Sequence, residues 1–302
     1  MSKVAFLFPG QGSQFAGMGK MWAEASPDAA HIFERADAAL KFPLSKLCWE
    51  GPEEELKLTE NTQPAILTVS VAAFIVAQEM GLEPDFVAGH SFGEYSALVA
   101  AGSLDFSDAV SLVRNRGRYM QEAVPAGTGA MAALMKLPEG TIDGILEQAA
   151  EGQVVTVASF NSPDQIVIAG HTEAVKRASE LAKASGAKRA ILLQVSAPFH
   201  CPLLIPAQQR LKPELDAVTL RGLRMPLVNN WQARAITTGA DARTGLYEQI
   251  PNPVRWTETI QLLRAQGVTQ AYEIGPGTVL AGLVKQIAPE IEMIRPEWLA
   301  AR

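Results

Sequence analysis

Cysteine is scarce in this sequence, with only Cys48 and Cys201 among 302 residues. Two cysteines are too few for a disulfide framework, and their spacing matches no metal-binding motif. The sequence therefore predicts a cytoplasmic protein, since the cytoplasm is reducing. We assign neither cysteine a catalytic role, and we expect no metal and no bound cofactor.

Positive charge and long apolar runs are also limited. The chain has 26 Lys and Arg against 32 Asp and Glu, a formal net charge of -6, and no long basic run. These features argue against nucleic acid or an anionic membrane as the main partner. The apolar stretch at residues 64–77 is shorter than the ~20 residues that span a bilayer, so it predicts a core helix. The apolar run before Pro9 is too short for a signal peptide and predicts a first buried strand.

The order of the predicted elements indicates an α/β protein with an insertion. A strand near the N terminus, several helices and a strand at residues 86–89 precede a break rich in Pro and Gly at residues 124–130. The next segment has the pattern strand, helix, strand, strand, helix, strand, which is the ferredoxin-like arrangement. We therefore predict a large α/β domain at residues 1–125 and 196–302, with a small ferredoxin-like subdomain at residues 126–195.

The segment GHSFG joins the strand at residues 86–89 directly to a helix-forming run. Its Gly-x-Ser-x-Gly pattern leaves room for a tight strand-to-helix turn, which projects the Ser91 hydroxyl outward at a helix N terminus. The pattern therefore predicts that Ser91 is a nucleophile. The alternative is that Ser91 only caps the helix.

A nucleophilic serine needs a base, and the sequence has four histidines. His31 lies on an amphipathic helix, and the His90 side chain is expected to point away from that of Ser91. His200 follows a predicted strand in a loop with two nearby prolines, which suits a rigidly held imidazole. His171 stands at a predicted helix start and remains the alternative, although the spacing favours His200.

A predicted helix beginning near Asp105 carries an arginine on its apolar face. That face has the three- and four-residue spacing of a buried stripe: Ala109, Leu112, Val113, Met120 and Ala123. Arg116 falls in the middle of this stripe. A guanidinium there needs a carboxylate partner, which is either an internal Asp or Glu or part of a substrate.

The glycine-rich segment GQGSQFAGMGK, residues 10–20, fails both nucleotide-binding fingerprints. Phe15 stands where a dinucleotide motif needs glycine, and Lys20 is followed by Met21 rather than by Ser or Thr. A loop with glycine at positions 10 and 12 can still present backbone N–H groups to an anion, as an oxyanion hole requires.

Together these motifs resemble the malonyl-CoA:acyl-carrier-protein transacylases of fatty-acid synthesis. These enzymes belong to an acyltransferase family that also includes the acyltransferases of polyketide synthases. The matching segments cover nearly the whole chain in the family's order: FPGQGSQ, GHSFGEYSALVAAG, RGRYMQEAVPAGTGAMAA, FNSPDQIVIAG, GAKRA, FHCPLL, NPVRW and EIGPG. The resemblance implies an α/β-hydrolase-like large domain with a ferredoxin-like insertion. It also implies malonyl-CoA and acyl carrier protein as partners, and we expect a monomer.

The resemblance also implies a role for each matching residue. Ser91 matches the nucleophile that receives malonyl as an ester, and His200 matches its general base and later acid. Arg116 matches the residue that pairs with the free carboxylate of malonate. Gln249 matches the position whose backbone carbonyl orients the histidine, in place of the acid of a usual triad.

Three further positions concern the oxyanion and the acyl pocket. The backbone N–H groups of Gln11 and Phe92 match the oxyanion hole, although relatives more often have Leu in place of Phe92. Phe199 stands where many relatives have Ser, and it resembles the malonyl-selecting acyltransferases of polyketide synthases. Its bulk is expected to exclude a methyl branch on the malonyl group.

Three other functions remain open at this point. A stand-alone malonyltransferase serving a polyketide synthase would have the same motifs. A serine thioesterase or esterase would share the Ser91 turn but would have no use for Arg116. A non-catalytic acyl-binding module would not be expected to retain serine, base and oxyanion positions together.

Overall fold

Two β-sheets organise the computed structural model, which describes residues 2–125, 127–195 and 197–294. Within these residues the strands are β1 (Lys3–Phe8), β2 (Phe86–Gly89), β3 (Gly129–Met135), β4 (Val155–Ser162), β5 (Gln165–His171), β6 (Arg189–Leu192), β7 (Leu227–Val228), β8 (Ala235–Ile236), β9 (Val268–Glu273) and β10 (Glu292–Ile294). The α-helices are α1 (Lys20–Ala25), α2 (Pro27–Leu40), α3 (Leu44–Glu50), α4 (Glu53–Leu56), α5 (Thr59–Glu79), α6 (Gly93–Ala100), α7 (Phe106–Ala123), α8 (Ile142–Ala150), α9 (Thr172–Ala184), α10 (Ile205–Ala217), α11 (Gly239–Glu248), α12 (Trp256–Ala265) and α13 (Val279–Ile287). The fold is therefore mixed α/β, as the sequence predicted.

The larger sheet has the strand order β10-β9-β1-β2-β7-β8, and all its pairs are parallel except β7 with β8. Alternate residues of β1 enter two different cores, with Phe6 on one face and Leu7 on the other. A parallel sheet buried on both faces needs such continuous apolar strands. Gln11, Ser91 and Asn230 follow the carboxyl ends of the neighbouring strands β1, β2 and β7, where open α/β sheets bind ligands.

The smaller sheet is antiparallel, with the strand order β4-β5-β3-β6. Helices α8 and α9 pack against it, and Leu134, Ile168 and Val175 lie in the shared core. The segment AILLQV predicts the last strand of this sheet over residues 190–195, but the edge strand β6 ends at Leu192. After one further bond from Leu193 N–H to the Met131 carbonyl, the chain leaves the sheet edge.

Helices α5 and α7 pack closely beside the larger sheet. The apolar stretch predicted as a core helix lies within α5, and almost all of it is buried. A Cβ at Gly117 of α7 would lie 2.6 Å from the Thr59 carbonyl oxygen, so only glycine permits this approach. No helix in the described part of the chain is both long and apolar enough to span a membrane.

The predicted domain boundaries, at residues 126 and 196, lie outside the described residues. Hydrogen bonds also join the smaller sheet to the chain segment around Val254. Val254 N–H donates to the Ala158 carbonyl at 2.9 Å, and Phe160 N–H donates to the Val254 carbonyl at 2.9 Å. These bonds connect β4 to the segment that precedes α12.

Candidate active site

The turn between β2 and α6 holds Ser91 in a strained backbone conformation. Ser91 has φ of 54°, the left-handed region that non-glycine residues seldom adopt. Glycine is required on both sides. A Cβ at Gly89 would lie 2.0 Å from the Gly93 carbonyl carbon, and a Cβ at Gly93 would lie 2.4 Å from the Phe8 carbonyl oxygen. The Gly-x-Ser-x-Gly pattern is therefore explained by close backbone packing around the turn.

His200 contacts the Ser91 side chain. Its Nε2 lies 2.7 Å from Ser91 Oγ, and its Nδ1 lies 2.8 Å from the Gln249 carbonyl oxygen. A carbonyl can only accept, so Nδ1 carries the proton and Nε2 is left to accept from the serine hydroxyl. His200 also has a positive φ, 57°, so both residues of the pair have unusual backbone conformations.

Burial keeps the His200 imidazole neutral. Desolvation is the main cause that lowers the pKa of His200 to about 3, and the positive charge of Arg116 lowers this pKa further. The hydrogen bond to the Gln249 carbonyl opposes these effects. An imidazole with such a pKa is unprotonated at neutral pH and can accept the Ser91 proton.

The other three histidines do not contact Ser91. His171 precedes α9, and its Nδ1 accepts from Val154 N–H at 2.9 Å. His31 is exposed and lies beside Glu34. His90 lines the same pocket as Ser91, but its Nε2 is 2.8 Å from the Asn161 side-chain oxygen. Of the two candidates for the base, the structure brings only His200 to the serine.

Arg116 is buried without an acidic partner. Its side chain is 1% exposed. Nη1 donates to Gln63 Oε1 at 2.9 Å and Nη2 donates to Gln249 Oε1 at 3.1 Å, so both acceptors are neutral amides. No carboxylate of the described residues lies within 4.0 Å of the guanidinium, and burial lowers its pKa. The internal acid that the sequence left open is present only at longer range: the buried Glu94 carboxyl raises the Arg116 pKa electrostatically but forms no ion pair with it.

One pocket contains Ser91, His200 and Arg116, and it is lined by residues of the smaller sheet, of α5 and α7, and of the turns that follow β1 and β2. Gln11, Phe92 and Phe199 line it as well, whereas Gln249 is fully buried behind it. The remaining lining residues were not predicted as site residues from the sequence: Gln63, His90, Met120, Met131, Ala158, Ser159, Asn161, Val167, Leu193 and Val195. Most of these are apolar, so the pocket presents one cation within a largely apolar wall.

The oxyanion positions have available donors. Neither Gln11 N–H nor Phe92 N–H donates to another residue within the described ranges. Phe92 immediately precedes α6, so its N–H lies at a helix N terminus, where backbone donors are not used by the helix. Both groups are thus free to bind an oxyanion at the pocket.

Sequence reasoning missed Glu94 and Asn230, which lie under the Ser91 turn. Glu94 is fully buried, and desolvation raises its pKa to about 7. The hydrogen bonds from Asn230 and Gln249 act in the opposite direction and lower this pKa. Asn230 Oδ1 accepts from Ser91 N–H at 3.0 Å. The last residue of the GHSFGE segment and the second Asn of LVNN, residues 227–230, carry no signal beyond their polarity within apolar surroundings.

Cys201, the residue after His200, takes no part in the contacts among Ser91, His200 and Arg116. Cys201 is fully buried, and its Sγ–H donates to the Pro198 carbonyl at 3.1 Å. Burial raises the pKa of the Cys201 thiol to about 12. No group of three His, Cys, Asp or Glu side chains that could hold a metal ion occurs in the residues that the structure describes.

The fold and the site together define an α/β enzyme with a serine and a histidine in contact. Residues 5–300 match the family described as acyl transferase domain. The chain therefore belongs to the acyltransferase family, and the protein is an acyltransferase.

Similar proteins narrow this class and confirm the resemblance found in the sequence. The chain is 52% identical over 295 residues to the malonyl CoA-acyl carrier protein transacylase of Bacillus subtilis (strain 168), covering 97% of this chain and 93% of the relative. It is 52% identical over 288 residues to the protein of that name from Escherichia coli (strain K12), covering 95% of this chain and 93% of the relative.

Solved structures that resemble this one are also malonyl transacylases. The malonyl CoA-acyl carrier protein transacylase of Coxiella burnetii has a TM-score of 0.96 and 44% identity, with coverage of 99% of this chain and 96% of that chain. A malonyl-transacylase solved in complex with its type II PKS acyl-carrier protein has a TM-score of 0.94 and 47% identity, with coverage of 97% and 96%.

Proposed function

We propose that the protein transfers the malonyl group of malonyl-CoA to the phosphopantetheine thiol of acyl carrier protein, through a malonyl ester on Ser91. The observation that carries this proposal is Arg116, a buried cation with neutral partners, in the pocket of Ser91 and His200. A guanidinium can hold a carboxylate by two parallel hydrogen bonds, and malonyl is an acyl group that ends in a carboxylate.

In the first half-reaction, Ser91 Oγ attacks the thioester carbonyl carbon while His200 Nε2 takes the hydroxyl proton. The carbonyl oxygen becomes an oxyanion, which the N–H groups of Gln11 and Phe92 stabilise. The C–S bond then breaks as the tetrahedral intermediate collapses, and His200 returns the proton to the departing coenzyme A sulfur. The product is malonyl-Ser91 and a neutral His200.

The second half-reaction reverses these steps with another thiol. His200 Nε2 takes the proton of the carrier-protein thiol, whose sulfur attacks the ester carbonyl carbon. The same two N–H groups stabilise the oxyanion, the C–O bond to Ser91 breaks, and His200 protonates Ser91 Oγ. The Gln249 carbonyl stabilises the transient imidazolium through Nδ1–H, in place of the acid of a usual triad.

The apolar wall of the pocket supports selection among acyl groups. Arg116 favours an acyl chain that ends in a carboxylate. Phe199, 8% exposed, lines the pocket next to His200, and we propose that its ring limits space for a methyl branch on the malonyl carbon. No cofactor is needed for this chemistry, because the substrates themselves supply the activated thioester and the accepting thiol.

The finer architecture also belongs to the proposal. We propose an α/β-hydrolase-like domain at residues 1–125 and 196–302 that carries a ferredoxin-like subdomain at residues 126–195. The element order β3-α8-β4-β5-α9-β6 and the sheet order β4-β5-β3-β6 support the second assignment. We further propose a cytoplasmic monomer.

The natural acceptor belongs either to fatty-acid synthesis or to a polyketide synthase, and we propose fatty-acid synthesis. The stand-alone transacylases from Bacillus subtilis and Escherichia coli, at 52% identity, support it. The similar structure with a type II PKS carrier protein makes the polyketide acceptor the second candidate.

Intact-protein mass spectrometry tests the covalent step. Incubation with malonyl-CoA is expected to add one malonyl group to the wild type and none to Ser91→Ala. Addition of holo acyl carrier protein is then expected to move this mass increment to the carrier protein. Release of free malonate without carrier-protein labelling would establish a thioesterase instead, and no labelling of the wild type would favour a binding module.

A further inference from the structure

Glu94 stands at the centre of a buried hydrogen-bond network beneath the active site. It is the second residue of α6, three positions after Ser91, and its side chain is fully buried. Its Oε2 accepts from Asn230 N–H at 2.9 Å, from Gln249 Nε2 at 3.0 Å and from Asn230 Nδ2. All three donors converge on one oxygen, so this oxygen accepts them even when a proton occupies Oε1.

The contact with Asn230 determines how that amide faces the Ser91 turn. Asn230 Nδ2 donates both to Glu94 and to the Gly89 carbonyl, the latter at 2.8 Å. Its Oδ1 is then directed to Ser91 N–H at 3.0 Å. The reverse orientation would place the amide oxygen against two acceptors and the amide donors against Ser91 N–H. In this single amide orientation, Asn230 binds the Gly89 carbonyl on one side of the turn and Ser91 N–H on the other.

The contact with Gln249 determines how that amide faces Arg116. Gln249 Nε2 donates to Glu94, which directs Oε1 to the Arg116 guanidinium at 3.1 Å. In the reverse orientation the Gln249 Nε2–H groups would face the N–H groups of Arg116, and the Gln249 oxygen would face the Glu94 oxygen. The main-chain carbonyl of Gln249 meanwhile accepts from His200 Nδ1. One residue thus links the carboxylate-binding cation to the base.

We propose that Glu94 is a positioning residue that fixes the Asn230 and Gln249 amides in the orientations that Ser91 and Arg116 require. The role rests on the proposed malonyl transfer, because the Gln249 branch acts on the group that binds the malonyl carboxylate. Glu94 touches no reacting atom. Its effect on malonyl passes through Arg116, by way of the Gln249 amide and by a direct electrostatic interaction that Glu94→Gln removes. Its effect on every acyl donor passes through Asn230 and the Ser91 turn.

Two substitutions distinguish the role of Glu94 as a hydrogen-bond acceptor from the role of its side-chain volume. Glu94→Gln keeps an oxygen that can accept all three hydrogen bonds, whereas Glu94→Leu keeps the volume and removes the acceptor. Ser96→Ala is the matched control, because Ser96 lies fully buried on the same helix and outside the network. Acylation rates with malonyl-CoA and acetyl-CoA are measured by rapid quench, normalised to folded enzyme by circular dichroism and active-site titration.

The ratio of kcat/KM for malonyl-CoA to kcat/KM for acetyl-CoA is the decisive readout, because a loss of folded protein lowers both equally. In Glu94→Leu this ratio is expected to fall about tenfold or more, the scale of one lost hydrogen bond to a charged group, with a slower acetyl reaction as well. In Glu94→Gln and Ser96→Ala the ratio is expected to stay within about threefold of wild type.

An unchanged ratio in folded Glu94→Leu would overturn the proposal, as would an equal fall in Glu94→Gln and Glu94→Leu. If Glu94→Leu does not fold, Glu94→Asp decides, since it withdraws the acceptor by one methylene; an unchanged ratio there also overturns the role. The wild type in the same experiment separates the two hypotheses. Its failure to form malonyl-Ser91 would refute the proposed function, whereas normal wild-type acylation with unaffected Glu94 variants refutes only the positioning role.

Discussion

Arg116 donates to the side-chain oxygen of Gln249 at 3.1 Å, so the buried cation of the pocket rests on a neutral amide. A buried guanidinium gains most from a carboxylate in direct contact, but the Glu94 carboxyl acts on Arg116 only through space, with Gln249 between them, and no ion pair forms. A substrate carboxylate that enters the pocket would complete the ion pair. This relationship gives a direct test of selectivity.

Arg116→Ala is expected to reduce kcat/KM for malonyl-CoA by an amount on the order of 3 kcal/mol, the scale for removing one partner of a buried charge pair. Acetyl-CoA has no carboxylate, so its acylation rate is expected to change little or to rise. The measurement is acyl-enzyme formation from both thioesters, with circular dichroism to verify folding. An equal loss for both substrates would show that Arg116 has a structural role.

The acid limb of the pH profile is a second prediction. The general base must be neutral, and burial and Arg116 lower the pKa of His200 to about 3, so the neutral form persists as pH falls below the usual range of histidine. Activity is therefore expected to be lost only as pH falls towards that value. Acetyl-CoA is the substrate of choice, because malonyl carries its own titrating carboxyl group.

Arg116→Ala serves as the comparison for this profile. The substitution removes the Arg116 positive charge, which disfavours the His200 imidazolium. The pKa of His200 is therefore expected to rise, and the acid limb of kcat/KM is expected to move to higher pH. A wild-type limb near pH 6.5, unmoved by Arg116→Ala, would mean that the imidazole is solvated during acylation.

The close approach of α5 and α7 gives a prediction on stability. In Gly117→Ala the new Cβ would lie 2.6 Å from the Thr59 carbonyl oxygen, so the helices must separate. The free energy of unfolding in urea is expected to fall by about 1–3 kcal/mol, the usual cost of overpacking. The malonyl preference is expected to fall too, because α7 carries Arg116 and α5 carries Gln63.

Gly144 on α8 is the matched control, since a Cβ there meets no atom within 4 Å. Gly144→Ala is expected to stabilise the protein by about 0.5–1 kcal/mol through helix propensity and a less flexible unfolded chain. A Gly117→Ala variant as stable as Gly144→Ala would show that the helix contact yields without cost.

Docking of the carrier protein can be tested at the end of the smaller sheet. Lys188 and Arg189 are exposed, and the exposed apolar residues Ile191 and Leu192 follow them on the edge strand β6. Acyl carrier proteins are acidic, and this chain is acidic too, so encounter requires a local basic surface. Charge reversal at both positions is expected to lower kcat/KM for carrier protein about threefold to tenfold and to weaken its salt dependence.

Malonylation of Ser91 by malonyl-CoA is expected to be unaffected by the same reversal. Lys46→Glu, at an exposed lysine of α3, is the control for a general change in net charge. Equal effects of Lys46→Glu and of the double reversal would argue for a different docking surface.

The sequence predicted those parts of the site that local pattern determines. The glycines around Ser91 are required by backbone packing within one turn, and the position of Arg116 follows from helical spacing. Spacing alone favoured His200 over His171 only weakly, because each stands at the end of a strand. The contact between Ser91 and His200 joins positions 109 apart in sequence and depends on the whole fold.

The buried network shows the same limit. Glu94 contacts Asn230 and Gln249 across separations of 136 and 155 residues, and neither amide differs in the sequence from an ordinary surface residue. Strand ends were also missed where tertiary contacts decide them. Beyond Leu192 the edge strand makes one more hydrogen bond to the sheet, from Leu193 N–H to the Met131 carbonyl, and Leu193 and Val195 line the pocket.

The protected thiol beside His200 has a chemical consequence for an enzyme that handles thioesters. Acyl groups pass readily between thiols when one of them is ionised, and an ionised cysteine near the ester would compete with the carrier protein for the acyl group. With its pKa raised to about 12 and its Sγ–H donated to the Pro198 carbonyl, Cys201 stays protonated. An acyl group on Ser91, as proposed, would therefore have no Cys201 thiolate beside it, and its destination would be decided by which external thiol reaches the pocket.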